Sequence, residues 1–261
     1  MTFTHGYASN GELRMYFEIH GEAAGDQPPL LLIPGGGSTI QTNFASIIPL
    51  LARERQVIAV DEEGHGRTAA TDRPLTAENS AGDVLAVLDQ LQLHSVDVLG
   101  FSAGGHTALA LAMQHPARVR RLIAASTFFS RDAVPDEFWD GMTSATMASM
   151  PGAYQDADRS LNPDPGHLER LFELDRQRIS GFPGWTEEDL GKITAPTLVL
   201  CADQDVMSSE HAVRMSRAIP KARLLIVPGG HGDYLGELAA SDGDLRAMHA
   251  TLPQLLRFLD A

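Results

Sequence analysis

The stretch VDVLGFSAGG, residues 96–105, decides the fold of this chain. It begins with a short apolar run, Val96 to Leu99, of the kind that forms a buried β-strand. Ser102 follows between two glycines, which suits a sharp turn where larger neighbours would not fit. The residues from Ser102 to Gln114 are mostly small residues and leucines and predict a helix, which His115-Pro116 ends. A strand, a G-x-S-x-G turn and a helix in this order predict an exposed, nucleophilic serine.

The rest of the chain repeats the alternation of strand and helix. Short apolar runs without polar alternation are typical of strands that are covered on both faces in a parallel sheet. Between them, apolar residues recur at helical spacing, for example in Asn79 to Leu91. This alternation predicts an α/β fold with a doubly wound, mostly parallel sheet. The further runs are Leu30 to Ile33, Val57 to Val60, Leu122 to Ala125, Thr197 to Cys201 and Leu224 to Val227.

The N-terminal segment has a different pattern. Apolar residues alternate with polar ones at Leu13, Met15, Phe17 and Ile19, which predicts a strand with one buried face. Asn10-Gly11 directly precedes this strand, and both residues tolerate positive φ in a hairpin turn. We therefore expect an antiparallel hairpin at the edge of the sheet.

Residues 128–190 interrupt the alternation. They contain no strand-like run, many proline and glycine breaks, and short helical stretches such as Leu168 to Ile179. They are also rich in aromatic side chains, which either line a ligand pocket or form a small core within the segment itself. We interpret the segment as a helical lid inserted into a core made of residues 1–127 and 191–261.

The composition narrows the class of protein. A length of 261 residues suits one large α/β domain, and the formal charge of -14 disfavours nucleic acid and anionic membranes as partners. The single cysteine, Cys201, is consistent with a reducing compartment. Met1 to Asn10 does not resemble a signal peptide, and no apolar run is long enough to span a bilayer. We expect a soluble, cytoplasmic protein that acts on a small molecule, with its oligomeric state left open.

A second glycine-rich turn follows the strand Leu30 to Ile33. The sequence Pro34-Gly35-Gly36-Gly37-Ser38 can bring a backbone N–H to a reacting carbonyl, where it would pair with the N–H of Ala103. The alternatives are an ordinary glycine-rich turn and a phosphate-binding loop. The phosphate loop is disfavoured because Ser38-Thr39 is not preceded by the lysine that such a loop requires.

A nucleophilic serine also needs a base and an acid that orients the base. His231 lies in a glycine-rich loop after the last apolar run, and Asp203 and Asp205 follow the run that ends at Cys201. The chain order Ser102, Asp205, His231 is the order of the Ser-Asp-His triad in one large group of hydrolases. In such a triad the histidine takes the serine proton, and the aspartate fixes the tautomer of the imidazole and stabilises its cation.

Together these segments resemble the α/β-hydrolase superfamily, and in particular its members with a serine nucleophile. The resemblance covers nearly the whole chain and implies an α/β-hydrolase fold with a helical lid. It also implies that Gly36 and Ala103 form the oxyanion hole and that Asp205 is the triad acid. Pro34 and Ala202 depart from the pattern, since relatives often have histidine and glycine at these positions. The segments that carry the resemblance are Leu30 to Ser38, Asp61 to Thr68, Gly100 to Gly105, Ala202 to Asp205 and Pro228 to His231.

Other residues that could carry chemistry have simpler interpretations. Asp203 is expected to accept a hydrogen bond within its loop, His65 to brace a loop, and His106, one helical turn past Ser102, to pack. Asp132 is a rival for the triad acid, and Cys201 is expected to be a buried strand residue. The sequence contains neither zinc-ligand spacing nor a dinucleotide-binding fingerprint, so we expect no metal and no cofactor.

The predicted reaction is a two-step acyl transfer on an ester-like bond of a small or medium-sized, largely apolar substrate. A lactone, a thioester, an amide, or a carbon–carbon bond beside a ketone is an alternative, because fold and triad do not choose among these bonds. A different alternative is a ligand-binding, receptor-like protein in which hydrolysis is vestigial.

Overall fold

A central β-sheet organises the structure, a computed structural model that describes residues 3–23, 25, 27–162, 164 and 166–261. The predictions for Met1 and Thr2 lie outside the described residues. The sheet has eight strands in the order β1-β2-β4-β3-β5-β6-β7-β8. All pairs from β4 to β8 are parallel, which confirms the predicted doubly wound α/β fold. The strands are β1 (Phe3–Asn10), β2 (Leu13–His20), β3 (Leu30–Ile33), β4 (Val57–Asp61), β5 (Val96–Phe101), β6 (Val119–Ala125), β7 (Thr197–Ala202) and β8 (Ala222–Val227).

The predicted N-terminal hairpin is confirmed, but its turn lies one residue later than expected. Asn10 belongs to β1 and pairs with Leu13, so the turn residues are Gly11 and Glu12. Gly11 has a φ of +59° and is the turn residue with positive φ. The reason is the register: the ladder keeps Asn10 extended, and glycine alone takes the left-handed conformation. Strand β2 pairs antiparallel with β4 and so joins the hairpin to the parallel sheet.

Strands β3, β4, β5 and β7 are buried along their whole length and so on both faces, which explains their unbroken apolar runs. In β3, Leu31 and Ile33 pack into one hydrophobic cluster, whereas Leu30 and Leu32 pack into another on the opposite face. All four residues have no exposed surface. Burying each such side chain contributes about 1.5–3 kcal/mol relative to leaving it exposed. The helices of the two covering layers are α1 (Ile40–Phe44), α2 (Ile48–Leu51), α3 (Ala77–Gln90), α4 (Ala103–Gln114), α9 (Ser209–Ala218), α10 (Leu238–Ser241) and α11 (Arg246–Leu259).

The segment between β6 and β7 is helical, and no strand lies among its described residues. Its aromatic side chains pack in two different places. Phe128, Trp139 and Phe182 join the main hydrophobic core, whereas Phe172 packs on a small separate cluster formed by Met150, Leu168 and Leu171. Phe172 therefore agrees with a small core inside the segment, whereas the other three aromatics extend the main core of the protein, which neither interpretation described. The helices of the segment are α5 (Asp136–Ser144), α6 (Gly152–Leu161), α7 (His167–Ser180) and α8 (Glu187–Leu190).

A helix that crosses a membrane must be both long and apolar. Within the described residues, none of the helices is both long and apolar enough to cross a bilayer.

Candidate active site

Ser102 lies on a strained turn between β5 and α4. Its backbone has φ 54° and ψ −120°, a conformation that L-residues rarely adopt. Such a conformation costs about 1–3 kcal/mol and persists only where the surroundings hold it. Here the Ser102 N–H donates to the carbonyl of Ala125 at 2.9 Å, and the Gly105 N–H donates to the Ser102 carbonyl at 2.9 Å. The turn raises the serine hydroxyl out of the end of β5.

The glycines around Ser102 are required by close backbone contacts. A Cβ atom on Gly104 would lie 2.2 Å from the carbonyl oxygen of Pro34, and one on Gly100 would lie 2.4 Å from the carbonyl oxygen of Gly104. A Cβ atom on Gly105 would lie 2.4 Å from the Thr127 Cβ. Thr127 follows β6, so Gly105 lets α4 approach the segment after β6 rather than the body of the sheet. The glycine loop after β3 and the serine turn are thereby held in direct contact.

Replacing Gly104 with alanine is expected to lower the free energy of unfolding by about 3 kcal/mol. The new Cβ atom would lie 2.2 Å from the Pro34 carbonyl oxygen and 2.5 Å from the Ile33 carbonyl oxygen, and neither backbone atom can move aside easily. Urea denaturation of the purified variant measures this loss. Gly141 in α5 is the matched control, since a Cβ atom there would meet nothing within 4 Å. Gly141→Ala is expected to be neutral or to stabilise by about 0.5–1 kcal/mol, as alanine favours a helix interior. Equal stability of the two variants would contradict the contact argument.

The structure brings Ser102, His231 and Asp205 together at the carboxyl ends of β5, β7 and β8. His231 Nε2 lies 3.0 Å from Ser102 Oγ. His231 Nδ1 lies 2.6 Å from Asp205 Oδ1. The Asp205 side chain has no exposed surface, whereas 31% of the His231 side chain is exposed. A hydroxyl, an imidazole and a buried carboxylate in this chain of hydrogen bonds match the geometry of a nucleophilic triad.

Asp205 is held by more than the histidine. The Ala202 N–H donates to Asp205 Oδ2 at 3.1 Å, and the Ser126 hydroxyl donates to the same oxygen. Since Ser126 gives its proton to Asp205, the buried Tyr234 hydroxyl donates to Ser126 Oγ. Burial alone would raise the pKa of Asp205, but the bond to His231, the histidine charge and these further donors hold the pKa below its usual value. The carboxylate therefore stays ionised beside His231.

The two residues predicted for the oxyanion hole both line the cavity in front of Ser102. Ala103 is the first residue of α4, where backbone N–H groups lack partners within the helix and the helix dipole favours negative charge. The neighbouring Gly37 N–H is already used, since it donates to Asp175 Oδ2. In the part of the chain that the structure describes, the N–H groups of Gly36 and Ala103 have no protein acceptor. These two donors are available to a ligand oxygen.

The cavity in front of Ser102 has a volume of about 250 Å³. Most of its wall is apolar, and the helices of residues 128–190 supply a large part of that wall. Of the three methionines in the predicted lid, Met142 and Met150 reach the cavity and Met147 does not. Such a volume and lining suit a small, largely apolar ligand. The apolar lining residues are Phe128, Phe138, Met142, Ala145, Met150, Pro151, Phe172, Ile179, Val206 and Met207.

The other candidate residues lie away from the serine. Asp203 is exposed and accepts the Gly229 N–H at 2.9 Å, which is a loop contact of the predicted kind. The Asp132 side chain is 60% exposed and pairs with Arg214, so it makes no contact with His231. Cys201 is buried in β7, and burial raises the pKa of its thiol to about 12.

His106 is buried and also borders the cavity. Its ring stacks on Phe182 with 4.2 Å between ring centroids and meets the edge of Phe128. Burial, together with the positive charge of Arg178, lowers the pKa of His106 to about 3. The ring is therefore a neutral packing element, as the sequence predicts.

His65 does more than brace its own loop. Its Nδ1 lies 2.9 Å from the Glu63 carbonyl, and its Nε2 lies 2.9 Å from Asp175 Oδ2 on α7. Burial alone would lower the pKa of His65, but the charge of Asp175 and the bond to it outweigh burial and raise the pKa to about 9. The ring is then a cation that donates from both nitrogens. Asp175 escaped sequence analysis because it is 138 positions from Gly37 and belongs to no local motif.

The raised pKa of His65 predicts a loss of stability at alkaline pH. Because folding raises the pKa from 6.5 to about 9, the stabilisation is complete below about pH 6.5 and disappears as the pH rises through 9. The full effect is on the order of 3 kcal/mol. Urea unfolding at about pH 6 and about pH 9.5 measures it, and His65→Gln should remove most of the pH difference. The exposed His94 is the control, and a His65→Gln slope equal to that of His94→Gln would refute the assignment.

A metal site needs several ligating side chains in one place. Across the described ranges, no group of three or more His, Cys, Asp or Glu side chains is arranged to hold a metal ion.

Comparison with known proteins agrees with this architecture. A family model described as alpha/beta hydrolase fold matches residues 28–167. The chain is 40% identical over 218 residues to 2-hydroxymuconate semialdehyde hydrolase of Pseudomonas sp. (strain CF600), covering 80% of this chain and 71% of that protein. It is 30% identical over 240 residues to "Putative carbamate hydrolase RutD" of Caulobacter sp. (strain K31), covering 84% and 89%. The enol-lactonase of Burkholderia xenovorans LB400 superposes with a TM-score of 0.75 at 21% identity, over 98% of this chain and 100% of that one, which is a likeness of fold. The chain belongs to the α/β-hydrolase-fold family and is a hydrolase of that fold.

Proposed function

We propose that this protein is a serine hydrolase that cleaves an ester-like bond of a small, largely apolar substrate through an acyl-enzyme on Ser102. The observation that carries the proposal is a pair of connected hydrogen bonds. One joins Ser102 Oγ and His231 Nε2 at 3.0 Å, and the other joins His231 Nδ1 and Asp205 Oδ1 at 2.6 Å. Ser102 lines an apolar cavity. Moving an uncharged acyl group from water into such a cavity costs little free energy.

The reaction follows from these contacts. Ser102 Oγ attacks the substrate carbonyl carbon while His231 Nε2 takes the hydroxyl proton, and the ionised Asp205 stabilises the resulting imidazolium. The carbonyl oxygen, now an anion, accepts hydrogen bonds from the N–H groups of Gly36 and Ala103. His231 gives its proton to the leaving alcohol. Water, deprotonated by His231, then attacks the acyl-enzyme and releases the acid and free Ser102.

A second candidate is cleavage of a carbon–carbon bond beside a ketone. It is favoured by the 40% identity to a 2-hydroxymuconate semialdehyde hydrolase. A muconate substrate carries a carboxylate and needs a cation to bind it. Of the described residues that line the cavity, the one arginine, Arg176, already donates to both carboxylate oxygens of Glu173 and to the Thr143 carbonyl. This pairing supports an uncharged substrate over an anionic one, and so we rank the ester-like bond first.

A labelling experiment and a substrate panel test the proposal. A fluorophosphonate probe should label the protein with a stoichiometry of about one, and peptide mass spectrometry should find the label on Ser102. The panel should contain p-nitrophenyl esters of increasing acyl length, a lactone, a phenyl carbamate and 2-hydroxymuconate semialdehyde. We expect the highest kcat/KM with a short or medium acyl ester. A higher kcat/KM with the semialdehyde would establish the second candidate, and absence of labelling would leave the ligand-binding alternative in first place.

A further inference from the structure

Helix α7 contacts both backbone segments that supply the oxyanion donors. Asp175 Oδ2 accepts the N–H of Gly37, one residue after Gly36. Arg178, one turn further along the same helix, donates from Nη2 to the carbonyl of Ala103 at 3.0 Å. The two side chains thus connect one helix of the 128–190 segment to the loop after β3 and to the first turn of α4.

The loop after β3 needs such a contact. Gly35, Gly36 and Gly37 are consecutive, and glycine restricts its own backbone less than any other residue. Gly36 is held from both sides: the Gly35 N–H donates to Asn43 Oδ1 at 2.6 Å, and the Gly37 N–H donates to Asp175. With both neighbouring N–H groups bonded, the direction of the Gly36 N–H is restricted as well. Without Asp175, the Gly37 N–H is left facing His65 Nε2 at 3.1 Å, which can accept a hydrogen bond only when the imidazole is neutral.

The charges of the contact are balanced inside the protein. His65 pairs with Asp175 at 2.9 Å, and Glu62 pairs with Arg178 at 3.0 Å. Arg178 also donates to Thr107 Oγ1 at 2.8 Å. The His65, Arg178 and Glu62 side chains are each at most 3% exposed. Two cations and two carboxylates therefore form a network without net charge, so its anionic members add little repulsion to an oxyanion nearby.

Asp175 also lies directly against Gly36. A Cβ atom built on Gly36 would be 3.3 Å from Asp175 Oδ1, and this oxygen has no hydrogen-bond partner among the described residues. The carboxylate is therefore in contact with Gly36, a cavity-lining residue whose N–H is a proposed oxyanion donor. A movement of α7 would change the surroundings of that N–H at once.

We propose that Asp175 and Arg178 of α7 are positioning residues that orient the oxyanion donors Gly36 and Ala103, so that the 128–190 segment acts in the chemical step as well as in substrate binding. This inference rests on the proposed function of Ser102. Misplacing one oxyanion donor weakens binding of the transition state and leaves binding of the substrate nearly unchanged, because the negative charge develops only during the reaction. A merely structural contact would change stability and leave kcat per folded molecule unaltered.

The test compares variants of Asp175 by steady-state kinetics on the preferred ester. Asp175→Ala removes the carboxylate acceptor of the Gly37 N–H, leaving His65 Nε2 at 3.1 Å, and is expected to lower kcat about 100-fold, with KM changed by less than about threefold. Asp175→Asn keeps an acceptor oxygen and should retain kcat within about fivefold. The affinity for a trifluoromethyl ketone, which resembles the tetrahedral intermediate, should fall by the same factor as kcat/KM. Gln177→Ala on the exposed side of α7 is the control and should match wild type.

Each result decides the inference. If wild type hydrolyses the ester and Asp175→Ala is as active as Gln177→Ala, the inference fails and the proposed function stands. If wild type has no activity and no fluorophosphonate labelling, the proposed function itself fails. Should Asp175→Ala not fold, Asp175→Glu decides: it keeps the charge but displaces the carboxylate by one methylene, so kcat should fall about tenfold. An unchanged kcat in Asp175→Glu would overturn the inference.

Discussion

Replacing Ser102 with alanine is expected to lower kcat for ester hydrolysis by about 10⁵–10⁶-fold, while substrate binding and stability change little. The side chain lost is the one whose Oγ lies 3.0 Å from His231 Nε2, so the covalent step has no nucleophile left. The remaining activity would come from the oxyanion donors and from binding alone. Steady-state kinetics with a p-nitrophenyl ester, together with a urea unfolding curve, measures both expectations.

Ser216 offers the matched control for this experiment. It is a serine of α9 whose hydroxyl donates to the Val213 carbonyl at 2.8 Å, on a helix that supplies no residue to the cavity. Ser216→Ala should keep the full kcat, and the fluorophosphonate probe should still label the variant. If Ser102→Ala retained more than about 1% of the wild-type kcat, another nucleophile would have to be sought.

The central strands could be predicted because they are covered on both faces. Every predicted apolar run lies within a strand, and the errors are at the strand ends. Strand β6 begins at Val119, three residues before the predicted Leu122. The prediction started too late because Arg120 and Arg121 interrupt the apolar run. Arg120 is tolerated there because it pairs with the buried Asp97 of β5. A tertiary ion pair of this kind leaves no periodic signal in the sequence.

Some residues of the candidate site could likewise be predicted from the sequence, and others could not. Ser102, Asp205 and His231 each follow a strand of one parallel sheet, so the fold predicts that they meet at the carboxyl ends of the strands. Ser126, which supports Asp205, directly follows β6 and could have been found by the same rule. Asp175 and Arg178 could not, since α7 reaches the site through the docking of the 128–190 segment. That docking depends on contacts between residues more than 70 positions apart.

The choice between the two acids of the loop after β7 gives the second large prediction. Asp205→Asn is expected to lower kcat about 10⁴-fold, because an amide can donate to His231 Nδ1 and so favour the wrong tautomer for a general base. The structure distinguishes the two acids clearly. Asp205 is buried and lies 2.6 Å from His231 Nδ1, whereas Asp203 is exposed and bonds the Gly229 N–H. The measurement is kcat across a pH series, which separates a tautomer effect from a shift of the pH optimum.

Asp203→Asn is the matched control, with the same chemical change two residues away in the same loop. The amide oxygen of asparagine can still accept the Gly229 N–H, so kcat should stay within about twofold of wild type. A large loss in Asp203→Asn with a small loss in Asp205→Asn would reverse the assignment of the acid. Equal, small losses in both would mean that His231 needs no acid for its action as a base. Only a loss confined to Asp205→Asn is consistent with a triad in which the buried carboxylate holds the imidazole tautomer that accepts the Ser102 proton.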